Sequence, residues 1–351
     1  METRIRLFCG NISPIEPTTL NMTLLNDWHP VAIFDNIAVG SVTASQLLDV
    51  PLALWRDSAG QIHAWEDRCP HRGTPFSLGN VEGDSLRCAY HGWTFGSAGK
   101  CLHVPALPAL GADQLKARAR TFAVTQRHGL VWVCLGTATG EPAPIPELDD
   151  DALRKVWCGP YDVATSGPRI VENFLDMAHF SFVHEGMLGA AERAEIAHGT
   201  VEPFDDGEGG QGIRAVQCRA WQPQASSNST GGEMVDYSYR VLRPLTAVLT
   251  KQAGAGASAH VAISLHLQPL TEISTRVWII MALDDFSSSD SVLRQFQDTI
   301  FLQDQPILES QRPQRLPLLP GAEVSVACDK MSLAYRSYLK RQQLRYGVLT
   351  E

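Results

Sequence analysis

The chain has 351 residues, of which 44% are hydrophobic and 19% charged, with a formal net charge of −9. That length fits about two domains with cores of their own, and the charge argues against nucleic acid as a partner, because phosphate binding needs a basic surface. It suits a partner with a basic docking face, or plain solubility. No apolar run is long enough to span a membrane and the N-terminus lacks a signal-peptide core, so a cytoplasmic protein without membrane contact is expected.

Residues 1–27 read as an irregular, Pro-containing extension. From Trp28 to about residue 136 the sequence breaks into short strands. Residues 52–56 and 61–65 flank Asp57-Ser58-Ala59-Gly60, a hairpin signal, and residues 122–124 and 130–134 flank Gln126-Arg127-His128-Gly129, a second one. A small antiparallel β domain is expected over 28–140. Eight cysteines in a chain of this kind are not expected to build a disulfide framework. Cys9, Cys101, Cys134, Cys158, Cys218 and Cys328 are scattered, several in apolar surroundings where cysteine acts as a small core residue.

Cys69 and Cys88 differ. They head two loops, Cys69-Pro70-His71-Arg72-Gly73 and Cys88-Ala89-Tyr90-His91-Gly92-Trp93, each offering one thiolate and one imidazole. Gly73 and Gly92 let the backbone turn tightly around whatever is held. Two cysteines and two histidines also make a zinc ligand set, but zinc fingers pair cysteine with cysteine and histidine with histidine. Mixed pairs are expected where two cysteines hold one iron and two histidines the other.

This spacing, with a glycine close behind each histidine, resembles that of the Rieske [2Fe-2S] proteins. The resemblance implies that Cys69, His71, Cys88 and His91 bind a [2Fe-2S] cluster. Rieske proteins of respiratory complexes add a cysteine to each loop and close a disulfide beside the cluster. Thr74 and Tyr90 stand at those positions here, so that bridge cannot form. A potential toward the low end of the Rieske range is expected.

Residues 136–151, rich in Pro, Gly and acid, mark a boundary, with a linker over 141–155 and a second domain over 156–351. Soon after it, residues 172–184 place Glu172, Asn173, Asp176, His179 and His184 in a mostly apolar run. On an ideal helix Asn173, Asp176 and His179 share one side, whereas His184 lies about 140° from His179. Both rings reach one point only if the helix bulges or ends before His184. Two histidines so spaced are as a rule core residues; imidazole is also the commonest metal ligand.

Residues 213–221, 234–242, 260–267 and 276–283 read as strands, which gives an antiparallel sheet with helices before and after it. Residues 287–311 read as a helix whose Leu293, Phe296, Ile300, Phe301 and Ile307 would face the core. Asp304 falls beside that stripe, and Pro306 is expected to kink the helix and free the backbone to turn Asp304 inward. Asp298 and Glu309 compete with it on sequence grounds.

With the Rieske-type loops upstream, Asn173-x-x-Asp176-x-x-His179-x-x-x-x-His184, then Asp304 and Gln311, then Asp329-x-x-Ser332-x-x-Tyr335-Arg336-x-x-Leu339, resemble the Rieske non-heme iron oxygenases. The likeness runs from about Trp28 almost to the end. It is closest to the homotrimeric branch that includes vanillate and dicamba O-demethylases and phenoxybenzoate-type dioxygenases. It implies an α+β chain, with an all-β Rieske domain followed by a helix-grip (Bet v1-like) catalytic domain of antiparallel sheet and helices. It also implies a terminal oxygenase in which His179, His184 and Asp304 hold a mononuclear Fe(II). Asp176 would bridge His179 and a cluster histidine, His71 or His91, across a subunit boundary. Asn173 would sit close to that bridge and steer, or else make a helix-positioning hydrogen bond.

The chain lacks a GxGxxG motif and plant-type cysteine spacing, so electrons from NAD(P)H must come through a separate reductase or ferredoxin. Dioxygen would be the co-substrate and a small aromatic molecule the substrate, to be hydroxylated, dihydroxylated or O- or N-demethylated. Pocket walls are expected from residues 185–189, from the strands between 213 and 283, small residues 253–258 among them, and from the Asp304 helix. Two rivals differ in metal content: a Rieske electron-transfer protein without mononuclear iron, and a colourless zinc protein of ligand-binding type.

Overall fold

The computed structural model describes residues 22–197, 199–207, 210–223, 231–253 and 260–350. Two antiparallel sheets organise it. The first has six strands in the order His29–Ile33, Leu130–Cys134, Thr121–Arg127, Ile62–Glu66, Val50–Arg56, Val42–Leu47. Both expected hairpins are there, Trp55 pairing with His63 and Trp132 with Thr125. A four-stranded sheet of three-residue strands, Asn80–Glu82, Ser85–Arg87, Thr94–Gly96 and Cys101–His103, stands beside it. Between the two lies a core of Trp55, Trp65, Phe76, Leu86 and Phe95, in which Cys69 and Cys88 are embedded. Trp65, Phe76 and Phe95 meet edge to face at 5.2–6.5 Å, a favourable aromatic geometry.

The second half is a long, curved antiparallel sheet. Its order is Arg154–Val163, Ser274–Leu283, His260–Thr271, Thr246–Ala253, Glu233–Arg243, Gln211–Gln222, Ile196–Ala197, with Thr200–Asp205 also paired to Gln211–Gln222. Its first strand begins at Arg154, inside the stretch expected to be linker. Helices Gly167–Leu175, Asp290–Ser310 and Lys330–Arg341 pack on it. The chain is thus α+β, an all-β first half followed by antiparallel sheet and helices. Apolar side chains of both halves join in one core, where Val31, Leu52 and Val133 belong to the same cluster as Val163, Leu267 and Tyr335.

The long helix differs from expectation in two ways. It runs from Asp290 to Ser310 with Pro306 inside it, so the inward turn of Asp304 needs no interruption of the helix. Asp304 faces inward by register, since Leu293, Gln297, Ile300, Phe301, Asp304 and Leu308 are its buried residues. Ile307, expected in the core, is 45% exposed because it falls about 70° from the centre of that stripe.

Candidate metal centres and substrate pocket

The two cysteine–histidine loops have the same backbone. In the first, Cys69 N donates to Thr74 O (2.8 Å) and Gly73 N to Cys69 O (2.8 Å); in the second, Cys88 N donates to Trp93 O (2.9 Å) and Gly92 N to Cys88 O (3.1 Å). Gly73 and Gly92 hold φ of +77° and +67°, values that disfavour any side chain. Asp67 anchors the first loop by accepting from Ser77 N (2.7 Å) and Ser77 Oγ (2.5 Å). The result brings Cys69, Cys88, His71 and His91 together. The cysteines are buried, while His71 is half-buried and His91 exposed, their rings 4.5 Å apart. His71 stacks on Trp93 at 4.2 Å, and Tyr90 lies against His91 at 3.8 Å. Burial, and then the Cys88 thiol beside it, pushes the Cys69 thiol up to about 12. Two thiolates in such a place need a cation, and the donor set fits a [2Fe-2S] cluster with its cysteines inward and its histidines at the surface.

The second site grows from a helix that stops early. Ser166 caps Gly167–Leu175 by accepting from Arg169 N, and Pro168 sits in its first turn. The helix ends at Asp176, whose backbone is extended (φ −91°, ψ 128°) and whose carboxylate accepts from Ala178 N (2.8 Å), a local alternative to further helix. Asn173, Asp176 and His179 therefore do not lie along one helix. A single turn, Phe180–Val183, separates His179 from His184. The next residues fold back on that turn: Met187 N and Leu188 N both bond His184 O, and a Cβ on Gly189 would lie 2.6 Å from Ser181 Cα. The helix has ended well before His184, so both rings reach one point.

There they meet Asp304. His179 Nε2 is 3.4 Å from Asp304 Oδ1, His184 Nε2 is 3.3 Å from Oδ2, and the two Nε2 atoms are 3.2 Å apart. Among the described residues, this trio is a group of donors able to share one metal ion. The outer ring nitrogens are engaged too, with His179 Nδ1 on Asp176 Oδ2 (3.2 Å) and His184 Nδ1 on Gln303 Oε1 (2.8 Å). Those acceptors place the protons on Nδ1, which leaves two imidazole lone pairs and a carboxylate converging on one point. Only a cation satisfies such a set. Two ligands at right angles, each about 2.1 Å from a metal, stand about 3.0 Å apart, close to the spacing here. Two-histidine, one-carboxylate donors on one face suit Fe(II) with open positions opposite.

Asn173 has another partner than the one expected. Its Nδ2 donates to Asp304 Oδ1 at 3.2 Å, so it orients the carboxylate donor directly. Asp298 bonds the Tyr161 hydroxyl, Glu309 accepts from Ala164 N and Gln305, and Gln311 ends the long helix; none joins the trio. Gln303 was not foreseen. Glutamine beside a helix aspartate is ordinary, and only the fold brings it to His184.

The trio lies at one end of a cavity of about 650 Å³ between the long helix and the sheet. Leu249, Ile263 and Met281 form one rung of its wall across three strands, and Lys251, Val261 and Leu283 the next. Leu293, Phe296, Gln297, Ile300 and Phe301 line the helix side. The walls match the strands, the Asp304 helix and the 185–189 segment named from sequence, the last through Leu188, but the lining side chains are large rather than small. Residues 254–258 of the expected small-residue stretch lie outside the described residues. The side chain of Gln297, buried on this wall, makes no hydrogen bond among the described residues. Burial holds the Lys251 ammonium down to about 8.

Comparison with known proteins agrees with both halves. Residues 27–122 match the Rieske [2Fe-2S] domain, and residues 163–344 the vanillate O-demethylase oxygenase C-terminal domain. Methylxanthine N1-demethylase NdmA of Pseudomonas putida is 31% identical over 89% of this chain and 87% of its own. The structure of Pseudomonas putida CBB5 NdmA with caffeine superposes with a TM-score of 0.77 at 29% identity, covering 91% of each chain. Dicamba monooxygenase bound to dicamba shares the fold, with a TM-score of 0.75 at 23% identity over 91% of this chain and 97% of that one.

A Rieske domain joined to an oxygenase domain defines an iron-dependent oxygenase. The chain belongs to the Rieske non-heme iron oxygenases and is a terminal oxygenase component, with a [2Fe-2S] cluster, a mononuclear iron, dioxygen as co-substrate and electrons from a separate reductase. A bare electron carrier and a zinc-binding protein are thereby set aside. No helix among the described residues is long and apolar enough to cross a membrane.

Proposed function

We propose that this oxygenase removes a methyl group from a small aromatic molecule, with Cys69, His71, Cys88 and His91 holding the cluster and His179, His184 and Asp304 the iron. The observation that carries the reading is the convergence of the His179, His184 and Asp304 donors at one end of an apolar cavity. When bound, the iron supplies dioxygen activation. The chain supplies the rest. Asp176 and Gln303 fix the protons of the two histidines on Nδ1, Asn173 orients the carboxylate, and the apolar walls keep water from the oxidised carbon. Methyl removal balances as R–CH3 on nitrogen or oxygen, plus O2, two electrons and two protons, giving R–H, formaldehyde and water.

Gln297 supports a substrate with a carbonyl or ring nitrogen. It lies two helical turns from Asp304, about 10 Å along the axis, roughly the span of a bicyclic ring system and its methyl group. NdmA, a methylxanthine demethylase by name, points the same way.

The reading includes a domain over 28–140, a second that starts with the strand at Arg154, and a homotrimer in the cytoplasm. Asp176 supports the trimer. Its side chain remains 33% exposed while bonded to His179, as a bridge to a neighbour's cluster histidine requires. Exposed apolar groups support it on both faces: Phe182 (66%) between the iron histidines, and Tyr90 (62%) and Leu107 (45%) by the cluster loops.

The test is formaldehyde release. Iron-replete protein, supplied with a reductase and NADH, is incubated with N-methylated and O-methylated aromatics. Formaldehyde equimolar with dioxygen consumed is expected for at least one; ring diols in its place would refute demethylation.

A further inference from the structure

The charge of this chain is unevenly placed. Residues 28–140 hold 9 Lys and Arg against 8 Asp and Glu, whereas residues 141–351 hold 18 against 27. Within the cluster-bearing half the pairing is uneven as well. Asp57 bonds His63, Asp67 bonds Ser77, Glu82 pairs with Arg87 and Asp113 with Lys100. Arg68, Arg72, Lys116 and Arg118 are exposed and make no ion pair among the described residues.

These four cations lie on two segments joined where Glu66 meets Arg120. Strands Ile62–Glu66 and Thr121–Arg127 pair Ala64 with Phe122 and Trp65 with Thr121, and Glu66 N donates to Arg120 O at 2.9 Å. Arg68 follows two residues after Glu66, and Arg118 precedes Arg120 by two, where it bridges Lys100 with Ala119 N donating to Gly99 O at 2.8 Å. In Lys116-Ala117-Arg118-Ala119-Arg120 exposure alternates, Lys116, Arg118 and Arg120 outward and Ala119 buried, so the three cations share one side. Arg120 is the least free, its guanidinium 3.6 Å from Glu66 and set over the Phe122 ring. Arg68 Nε lies 3.6 Å from where a Gly73 side chain would begin, and Arg72 follows His71. The strip therefore reaches the first cluster loop. The second loop is different: Tyr90 is exposed beside His91, and Pro105 packs on Gly92 close to exposed Leu107.

We propose that the strip formed by Arg68, Arg72, Lys116, Arg118 and Arg120 is the docking surface for an acidic electron-donor protein, which delivers electrons on the side of the first cluster loop. The proposal rests on the cluster assignment made above. Unpaired cations on a chain of net charge −9 steer one kind of macromolecular partner, one that presents concentrated negative charge. Arrival at Arg68 and Arg72 brings such a donor to the half-buried His71, and leaves the apolar side at Tyr90 for a neighbouring subunit.

The test uses the assembled, cluster-loaded protein and an acidic plant-type [2Fe-2S] ferredoxin as the probe, with bleaching of the cluster's visible absorption followed by stopped flow. Dithionite serves as a small reductant that needs no docking. For the parent, the ferredoxin rate is expected to fall at least ~10-fold between about 20 mM and about 300 mM salt, as screened steering requires. Lys116→Glu/Arg118→Glu should lower the low-salt rate at least ~10-fold and flatten its salt dependence, with the dithionite rate, spectrum and assembly mass unchanged. A variant that keeps the parent's rate and salt slope, or a parent that shows no salt-dependent transfer, overturns the proposal. Loss of assembly mass in the variant overturns it in favour of contact between copies. A parent with no dithionite-reducible visible spectrum would instead refute the cluster assignment.

Discussion

The two metal sites are built in opposite ways. The proposed cluster donors come from two loops 69–73 and 88–92, each closed by hydrogen bonds of its own backbone, and the histidines reach the surface. The proposed iron donors come from His179, His184 and the distant Asp304, and each is held by a further side chain: Asp176, Gln303 and Asn173. The first geometry is local, fixed by glycine and chain spacing. The second exists only after a helix from one end of the domain has packed against a turn from the other. A local site is legible in sequence and tolerant of distant change, whereas an assembled one depends on supports that spacing does not reveal.

The largest expected effect breaks the two sites apart. Asp304→Ala should lose the mononuclear iron and at least ~1,000-fold of product formation while retaining the visible spectrum of the cluster. Iron and acid-labile sulfide per subunit check it; loss of sulfide along with iron would mean the sites are not independent. Asp176→Asn should leave both metals bound but slow product formation about 100-fold, because its acceptor for His179 Nδ1 is weakened. Single-turnover kinetics with a pre-reduced cluster measure this, and an unchanged rate would remove Asp176 from the link. Gln303→Leu should weaken iron binding by about 10–100-fold, seen by competition with a chelator, with Asn173→Ala weaker in the same direction. The smallest change is expected at Gln297→Leu, which should raise KM about 10-fold for a carbonyl-bearing substrate and leave a carbonyl-free analogue unaffected. Equal effects on both would reassign Gln297 to packing.

What could be read beforehand follows the same division. Hairpins at 50–66 and 121–134, the Cys-x-His and Cys-x-x-His loops and the long helix are local patterns, and the residues carry them openly. The strand Arg154–Val163 was obscured by Gly159-Pro160, which mark a break in most sequences and here sit where its pairing shifts between Cys158 and Tyr161. Thr246–Ala253 was hidden by the small residues that follow it. The His179–His184 turn was inferable from its own misfit, because a straight helix would set the rings apart. Gln303 and the contact of Asn173 with Asp304 were not, since both depend on how helix meets helix.

The brevity of the Phe180–Val183 turn has a consequence for how this enzyme ages. With one helical turn and a fold-back closed by a few amides, the 177–189 segment has little backbone ladder to resist opening, unlike the eight-stranded sheet behind it. An ion bound by His179, His184 and Asp304 would join that segment to the long helix and so act as a staple as well as a reagent. Chelation should therefore quicken amide hydrogen exchange across 177–189 first, expose the segment to proteases, and turn loss of one atom into loss of the chain.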